Sequence, residues 1–353
     1  MIKIKNIYYM LAYAFQVLRE QTYQSLSCEK FENTGELLAA ILAKGLDMQV
    51  KRGLGRDYVQ RTELLSVPRG KINISESIKT QSLRKKQLVC IFDEFSVDFY
   101  LNQIIKTTGR VLLSSRISSK RKRDLRKSMV FLEGVDTLDI HRINWRIVYN
   151  RGNQTYQMLI FVCRLVLKGL LQKQEDGAER LMEFLDEQEM SRLYEKFILG
   201  YYRKEFPFIK AEPSQIAWKL DNGAGDLLPV MQSDVMLSRG SDILIIDAKY
   251  YSHTTQTRFG VHKLHSDNLY QIFAYVKNKE AELAGKPHKV AGLLLYARTE
   301  EALLPDNTYS MSGNQISAKT LNLNADFSQI KRQLNQIAEL YFDAAGKSLA
   351  SIS

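Results

Sequence analysis

At 353 residues and 40.7 kDa, with 45% hydrophobic and 25% charged residues, the chain is long enough for two domains with their own cores. It is too apolar, and too poor in Pro (6) and Cys (3), for a disordered, collagen-like or disulfide-scaffold protein. The net charge of +11 sits entirely in residues 1–150, which hold 26 Lys and Arg against 15 Asp and Glu, whereas residues 151–353 hold 24 of each; a basic half joined to a neutral one points the first half toward a polyanion or an acidic protein surface.

Cys28, Cys90 and Cys163 are far apart and form no C-x-x-C, which excludes a cysteine zinc site and indicates a reducing, cytoplasmic compartment. The apolar run at 7–11 is shorter than the ~7–15 residues of a signal peptide. The greasy stretch 156–171 is broken by Arg164 and Lys168, whereas a membrane span wants ~20 nearly uncharged residues, so no membrane domain is expected.

In chain order, Ile7, Met10, Leu11, Ala14, Val17 and Leu18 have helical spacing, with Asn6 as a cap. A second helix starts at Thr34 and ends before the break at Gly53-Leu54-Gly55. Residues 56–80 read as strands or hairpins, and helical periodicity resumes over 95–113. Lys120, Arg121, Lys122 and Arg123, followed by Arg126 and Lys127, could pair with phosphates, or could simply be a solvated basic helix face. Residues 150–153 read as a turn, 156–171 as a helix and 172–179 as a surface loop. Then come a helix over 189–206, strands over 215–219, 231–237 and 242–249, a helix from about 266 to 278, and a strand over 289–296. The plan is an α/β (α+β overall) protein: a mixed helical and β-hairpin domain over 1–160, then a domain over 161–353 with a central mixed sheet flanked by helices.

The strand at 242–249 is an aliphatic run, the mark of burial on both faces, that ends in charge at Asp247 and Lys249. Residues two apart on a strand share a side, and a turn at 239–241 would bring Asp234 alongside. Two converging carboxylates suit a hard divalent cation such as Mg²⁺, which could orient and polarise a phosphodiester while Lys249 stabilises charge on phosphate. The same residues also read as a salt bridge between neighbouring strands at a sheet edge.

Asp234 followed by Asp247-Ala248-Lys249 resembles the PD-(D/E)xK nuclease signature, with Ser233 in place of the proline. Gln271 and Tyr275, one helical turn apart, are similar to the Q-x-x-x-Y motif of RecB-like members, suited to contacting the site or DNA backbone. More broadly, Asn6-Ile7-Tyr8-Tyr9-Met10-Leu11-x-Tyr13-Ala14, Lys51-Arg52-Gly53-Leu54, Ile104-Ile105-Lys106, 244–251 and His265-Ser266-x-Asn268-Leu269-Tyr270-Gln271 resemble the McrC subunit of McrBC-type modification-dependent restriction systems.

That resemblance implies a PD-(D/E)xK endonuclease domain, with Asp234, Asp247, Lys249, Gln271 and Tyr275 as catalytic residues and Asp234 and Asp247 as Mg²⁺ ligands. Glu195, on the helix before the sheet, is a further ligand candidate or an ordinary solvated Glu. The implied partners are a McrB-like AAA+ GTPase hexamer, stimulated by the N-terminal domain, and double-stranded, methylated DNA. Arg52, Arg56, Arg61, Arg69 and Lys71 are the candidates for entering that ring, and Lys120, Arg121, Lys122 and Arg123 for DNA. No G-x-x-x-x-G-K-[ST] occurs, so GTP belongs to the partner. Two other readings stand beside this one: a noncatalytic regulatory subunit of an AAA+ ring, and a RecB-like DNA-end nuclease with another motor. His262 and His265 have metal-like spacing but no third ligand, and suit a DNA contact or a surface role.

Overall fold

The structure is a computed structural model that describes residues 2–16, 21–176, 186–222, 225–250, 255–258, 261–298 and 304–342. It divides into two compact units, residues 28–185 and residues 1–27 with 186–353. The opening helices α1 (Ile4–Phe15) and α2 (Gln21–Cys28) fall mainly in the second of these.

The 28–185 unit begins with α3 (Thr34–Arg52), capped by Asn33, whose side chain accepts the Glu36 N–H at 2.9 Å. The strands β1 (Asp57–Leu65) and β2 (Lys71–Ile72), the helix α4 (Ile74–Lys79) and the strand β3 (Leu88–Ser96) follow, then the helices α5 (Tyr100–Ser114), α6 (Ser119–Met129) and α7 (Gln157–Asp176). The core is helical: α3 packs on α6 and α7, and α5 on α7, through buried Leu37, Ile41, Leu46, Ile104, Leu112, Leu125, Val162 and Leu167. The three strands form an antiparallel sheet in the order β1-β3-β2, with Asp57 opposite Ser96 and Leu65 opposite Leu88. Its base is tight. The Tyr156 hydroxyl accepts the Gly55 N–H (2.8 Å) and donates to Asn102 Oδ1 (3.0 Å), and a Cβ on Gly55 would lie 2.9 Å from that hydroxyl oxygen.

After α8 (Glu187–Glu205) the chain lays down β4 (Lys210–Ile216), β5 (Met231–Arg239), β6 (Asp242–Lys249), β7 (Thr255–Arg258), β8 (Val261–Leu264), α9 (Ser266–Glu282), β9 (Lys289–Ala297), β10 (Asn307–Met311), β11 (Asn314–Leu321) and α10 (Phe327–Tyr341). The main sheet is mixed, in the order β10-β11-β9-β6-β5-β4. β6 runs parallel to β9 and β9 to β11, and the remaining neighbours are antiparallel. One face packs on α9 through Met231, Met236, Ile245, Leu294, Ile272 and Val276. Gly292 lets the helix come close, since a Cβ there would meet Ile272 at 2.8 Å and Val276 at 2.9 Å. α8 packs against β4, β5 and β6, and is tied to α10 by Tyr202 Oη donating to the Leu334 carbonyl (3.1 Å).

Several expectations change. The division at 160/161 gives way because α1 packs on α8: a Cβ on Gly200 would sit 2.2 Å from the Tyr13 carbonyl, and Tyr13 Oη donates to Glu205 Oε1 at 2.7 Å. Asn6 is no cap. It lies inside α1 and its amide donates to the Leu323 (2.7 Å) and Ala325 (2.8 Å) carbonyls. The first strand of the sheet is β4 at Lys210–Ile216 rather than 215–219. β3 occupies the start of what periodicity assigns to a helix, which begins at Tyr100. α7 continues into the segment read as a loop, whose end falls outside the described residues.

Candidate active site

Asp247 and Lys249 lie at the end of β6, the central apolar strand, and the β5–β6 pairing stops one step earlier, at Val235 opposite Ile246. There the side chain of Asp234 replaces the backbone: its Oδ2 accepts the Ala248 N–H at 2.8 Å. Asp247 is buried, and Lys249 Nζ lies 2.8 Å from its Oδ2 as an ion pair, yet that oxygen receives no hydrogen bond. Glu195, half-buried on α8, accepts from Ser191 Oγ at 3.2 Å and lies in electrostatic range of Asp247 and Lys249.

The motif residues of α9 hold the lysine. Lys249 Nζ donates to Gln271 Oε1 (3.2 Å), Gln271 Nε2 to Tyr275 Oη (2.8 Å), and Tyr275 Oη to the Gln232 carbonyl (3.2 Å). The chain of bonds runs from β6 through α9 to β5 and reaches the strand of Asp234 two residues before it. Gln271 and Tyr275 thus act on the position of Lys249.

The electrostatics follow from crowding. Burial, then the neighbouring Asp247, then Glu195 push the Asp234 carboxyl up to about 8, against the lowering effect of the Ala248 N–H and Lys249. Burial also raises Glu195, opposed by the Ser191 hydroxyl and Lys249 and reinforced by Asp247. Clustered carboxylates with one buried oxygen short of a hydrogen bond fit a hard divalent cation, which would relieve the repulsion that a proton otherwise relieves. Asp234 and Asp247 are the pair that could hold it. Among the described residues no three His, Cys, Asp or Glu side chains close into a metal cage, so Glu195 stands near the pair without completing one.

The remaining candidates separate into groups. Arg121 is buried: it pairs with Glu29, lies 3.4 Å from Glu36 and stacks on Phe31, so it stabilises the helical core, while Lys120 and Arg123 are exposed and Lys122 half-buried. Arg61 pairs with Glu94 of β3 (3.3 Å) and with Asp98 just beyond that strand (3.1 Å), and the exposed Arg69 lies over the Phe92 ring at 4.2 Å. Arg52, Arg56 and Lys71 are exposed. His265 immediately precedes α9, and the side chain of His262 lies outside the described residues. Sequence reasoning missed the Ala248 N–H, the Gln232 carbonyl and the irregular pairing of β4 with β5 at Pro213; the proline was the one available signal.

A family model described as McrBC 5-methylcytosine restriction system component matches residues 3–297. The chain is 31% identical over 347 residues to the Type IV methyl-directed restriction enzyme EcoKMcrBC of Escherichia coli (strain K12), covering 96% of this chain and 98% of that protein. Two solved structures from Thermococcus gammatolerans are similar. One is a refined half-complex from a tetradecameric assembly of McrB AAA+ hexamers with bound McrC, at 19% identity over 95% of this chain and 76% of the other, with a TM-score of 0.47. The second is its McrBC complex by cryo-EM, at 20% identity over 57% and 58%, with a TM-score of 0.40.

Proposed function

The chain belongs to the McrBC 5-methylcytosine restriction system component family, and on that premise we propose that it is the nuclease subunit of a GTP-dependent, modification-dependent restriction complex. In this reading it cleaves DNA phosphodiesters with Mg²⁺ in the cytoplasm and stimulates the GTPase of a McrB-like AAA+ hexamer. The observation that carries the nuclease assignment is the meeting of Asp234, Asp247 and Lys249 at one strand end, with Lys249 held from behind by Gln271.

Asp234 and Asp247 would hold the cation, which when bound would supply Lewis-acid polarisation of the phosphodiester and an acidified water. Lys249 keeps its ammonium beside the reacting phosphate, where it orients the attacking water and stabilises negative charge that develops on phosphate oxygens. Gln271 and Tyr275 restrict the swing of that ammonium, because a long, rotatable side chain otherwise loses entropy on each productive approach. The backbone N–H of Ala248 fixes one Asp234 oxygen, leaving the other free to turn to the cation.

The basic excess of residues 1–150 serves the partner and the duplex. Lys120, Lys122 and Arg123 offer phosphate contacts on α6, and the exposed Arg52, Arg56, Arg69 and Lys71, with Arg61 ion-paired beside them, face the GTPase. The test is cleavage of methylated and unmethylated plasmid by this chain with its AAA+ partner, GTP and Mg²⁺, and again after chelation. Cutting that needs the partner, GTP and divalent metal together supports the proposal. Digestion of DNA ends by the isolated chain favours the RecB-like reading, and stimulated GTPase with no cutting favours a regulatory subunit.

A further inference from the structure

β5 carries one residue more than the strand beside it. Ser214 of β4 pairs with Ser233 and Glu212 with Met236, so Pro213 alone faces both Asp234 and Val235. Proline has no N–H to give a ladder, and strands accommodate such a position by bulging. The shift is visible in the core as well. Met231 and Met236, five residues apart, both pack in the layer against α9, which a strand of period two permits only with an inserted residue. Asp234 therefore stands in a bulge, a place where strands re-aim a side chain.

Ser233 holds that bulge. It is fully buried, its Oγ accepts the Ser214 N–H at 3.2 Å, and the same hydroxyl donates to the Ser214 carbonyl at 3.1 Å. One side chain thus bonds both backbone groups of the residue that follows Pro213, where the regular ladder is interrupted. The neighbours complete a three-sided clamp: the Gln232 carbonyl is held by Tyr275 of α9, and the Asp234 carboxylate by the Ala248 N–H of β6.

We infer that Ser233 is a positioning residue for the cation site, fixing where the Asp234 carboxylate stands relative to Asp247 by stitching the bulge opposite Pro213. It occupies the place that proline holds in the nuclease signature. A proline constrains the strand through its fixed φ; this chain does so through a hydroxyl bonded across to β4. The inference rests on the nuclease reading.

The experiment is a terbium luminescence titration of the full-length chain, competed with Mg²⁺, beside plasmid cleavage and GTPase stimulation with the partner present. Ser233→Ala weakens Tb³⁺ binding by roughly 10-fold, the scale on which loss of a supporting partner lowers metal affinity. Cleavage falls in step, GTPase stimulation stays at the wild-type level, and Ser233→Thr restores both losses. Ser233→Cys, which nearly keeps the volume but bonds only weakly through its thiol, gives the same loss. Wild-type Tb³⁺ affinity in a folded Ser233→Ala chain overturns the inference, whether or not cleavage falls, because a purely structural serine would leave the metal site intact. Where Ser233→Ala does not fold, Ser233→Cys decides by the same criterion. No Tb³⁺ binding by the wild-type chain, with Asp247→Ala indistinguishable from it, would remove the nuclease reading and this inference with it.

Discussion

The six-stranded and three-stranded sheets treat charge in opposite ways. In the six-stranded sheet the charged groups at the end of β6 are withdrawn from solvent and tied to their neighbours, with Asp247 buried and Lys249 bonded to Gln271. The three-stranded sheet and the residues flanking its strands are open: Tyr58 is 72% exposed, Phe95 55% and, between β1 and β2, Val67 77%, with Arg56 and Lys71 also exposed. Buried, mutually repelling carboxylates are costly unless a proton or a cation relieves them, and are found where chemistry needs them. Exposed apolar and cationic side chains on a small sheet suit a surface that meets another macromolecule. The contrast predicts that substitutions in the first sheet change cutting, and those in the second change coupling to the partner.

The largest separation is expected from Lys249→Met. It removes the ammonium while keeping the stem, and should lower cleavage by about 10²–10³-fold, the scale seen when one transition-state donor is lost. Single-turnover cleavage under saturating partner measures it, and a loss below a few-fold would move Lys249 out of the reaction.

Next in size is a division inside the basic run of α6. Arg121→Gln leaves Glu29 and the buried Glu36 without their cation, and breaking such a pair costs about 3–5 kcal/mol of stability. Lys120→Gln, at an exposed position, leaves the melting temperature unchanged and removes about one unit from the salt slope of DNA binding. Denaturant melts and salt-dependent binding isotherms separate the two. Equal destabilisation by both substitutions would contradict the placement of Arg121 in the core.

A smaller effect sharpens the account of the carboxylates. The folded pKa of Asp234 is raised to about 8, above its ordinary value of 3.8, so the folded chain binds more protons than the unfolded one between those limits. In chelator, stability contributed by this group is therefore present at low pH and lost as pH rises through about 8. Asp234→Asn flattens that slope and raises the melting temperature at pH 8 by a few degrees, with about 2–4 °C expected per kcal/mol for a unit of this size. A mutant with the wild-type pH profile would show that Asp234 is not strained by its neighbours.

The parts of the fold legible in sequence are those set by local pattern. The aliphatic run of β6 ending in Asp247-Ala248-Lys249, the helix α9, and α3 with its apolar face follow from periodicity, whereas Gln271 and Tyr275 stand out on α9 only through their likeness to a known motif. What was illegible depends on distant partners. α1 has an ordinary amphipathic pattern, and nothing in it says that its face is filled by α8, nearly 200 residues away. The short β10 is mostly exposed, and β11 gains its place by pairing with β9, so neither β10 nor β11 announces itself by alternation. Arg121 looks like its basic neighbours until Glu29, Glu36 and Phe31 are brought against it. In the site, the residue types were readable, but the backbone groups of Ala248 and Gln232 that hold them have no signature in side-chain chemistry.

The central claim is that cutting and partner stimulation are separate properties of one chain. Asp247→Ala, assayed in a single reaction with partner, GTP, Mg²⁺ and methylated plasmid, tests it most directly by following phosphate release and linear DNA together. Cleavage should disappear while GTP hydrolysis stays at the wild-type stimulated rate. Retained cleavage, or loss of both activities in a variant that melts like the wild type, would contradict it.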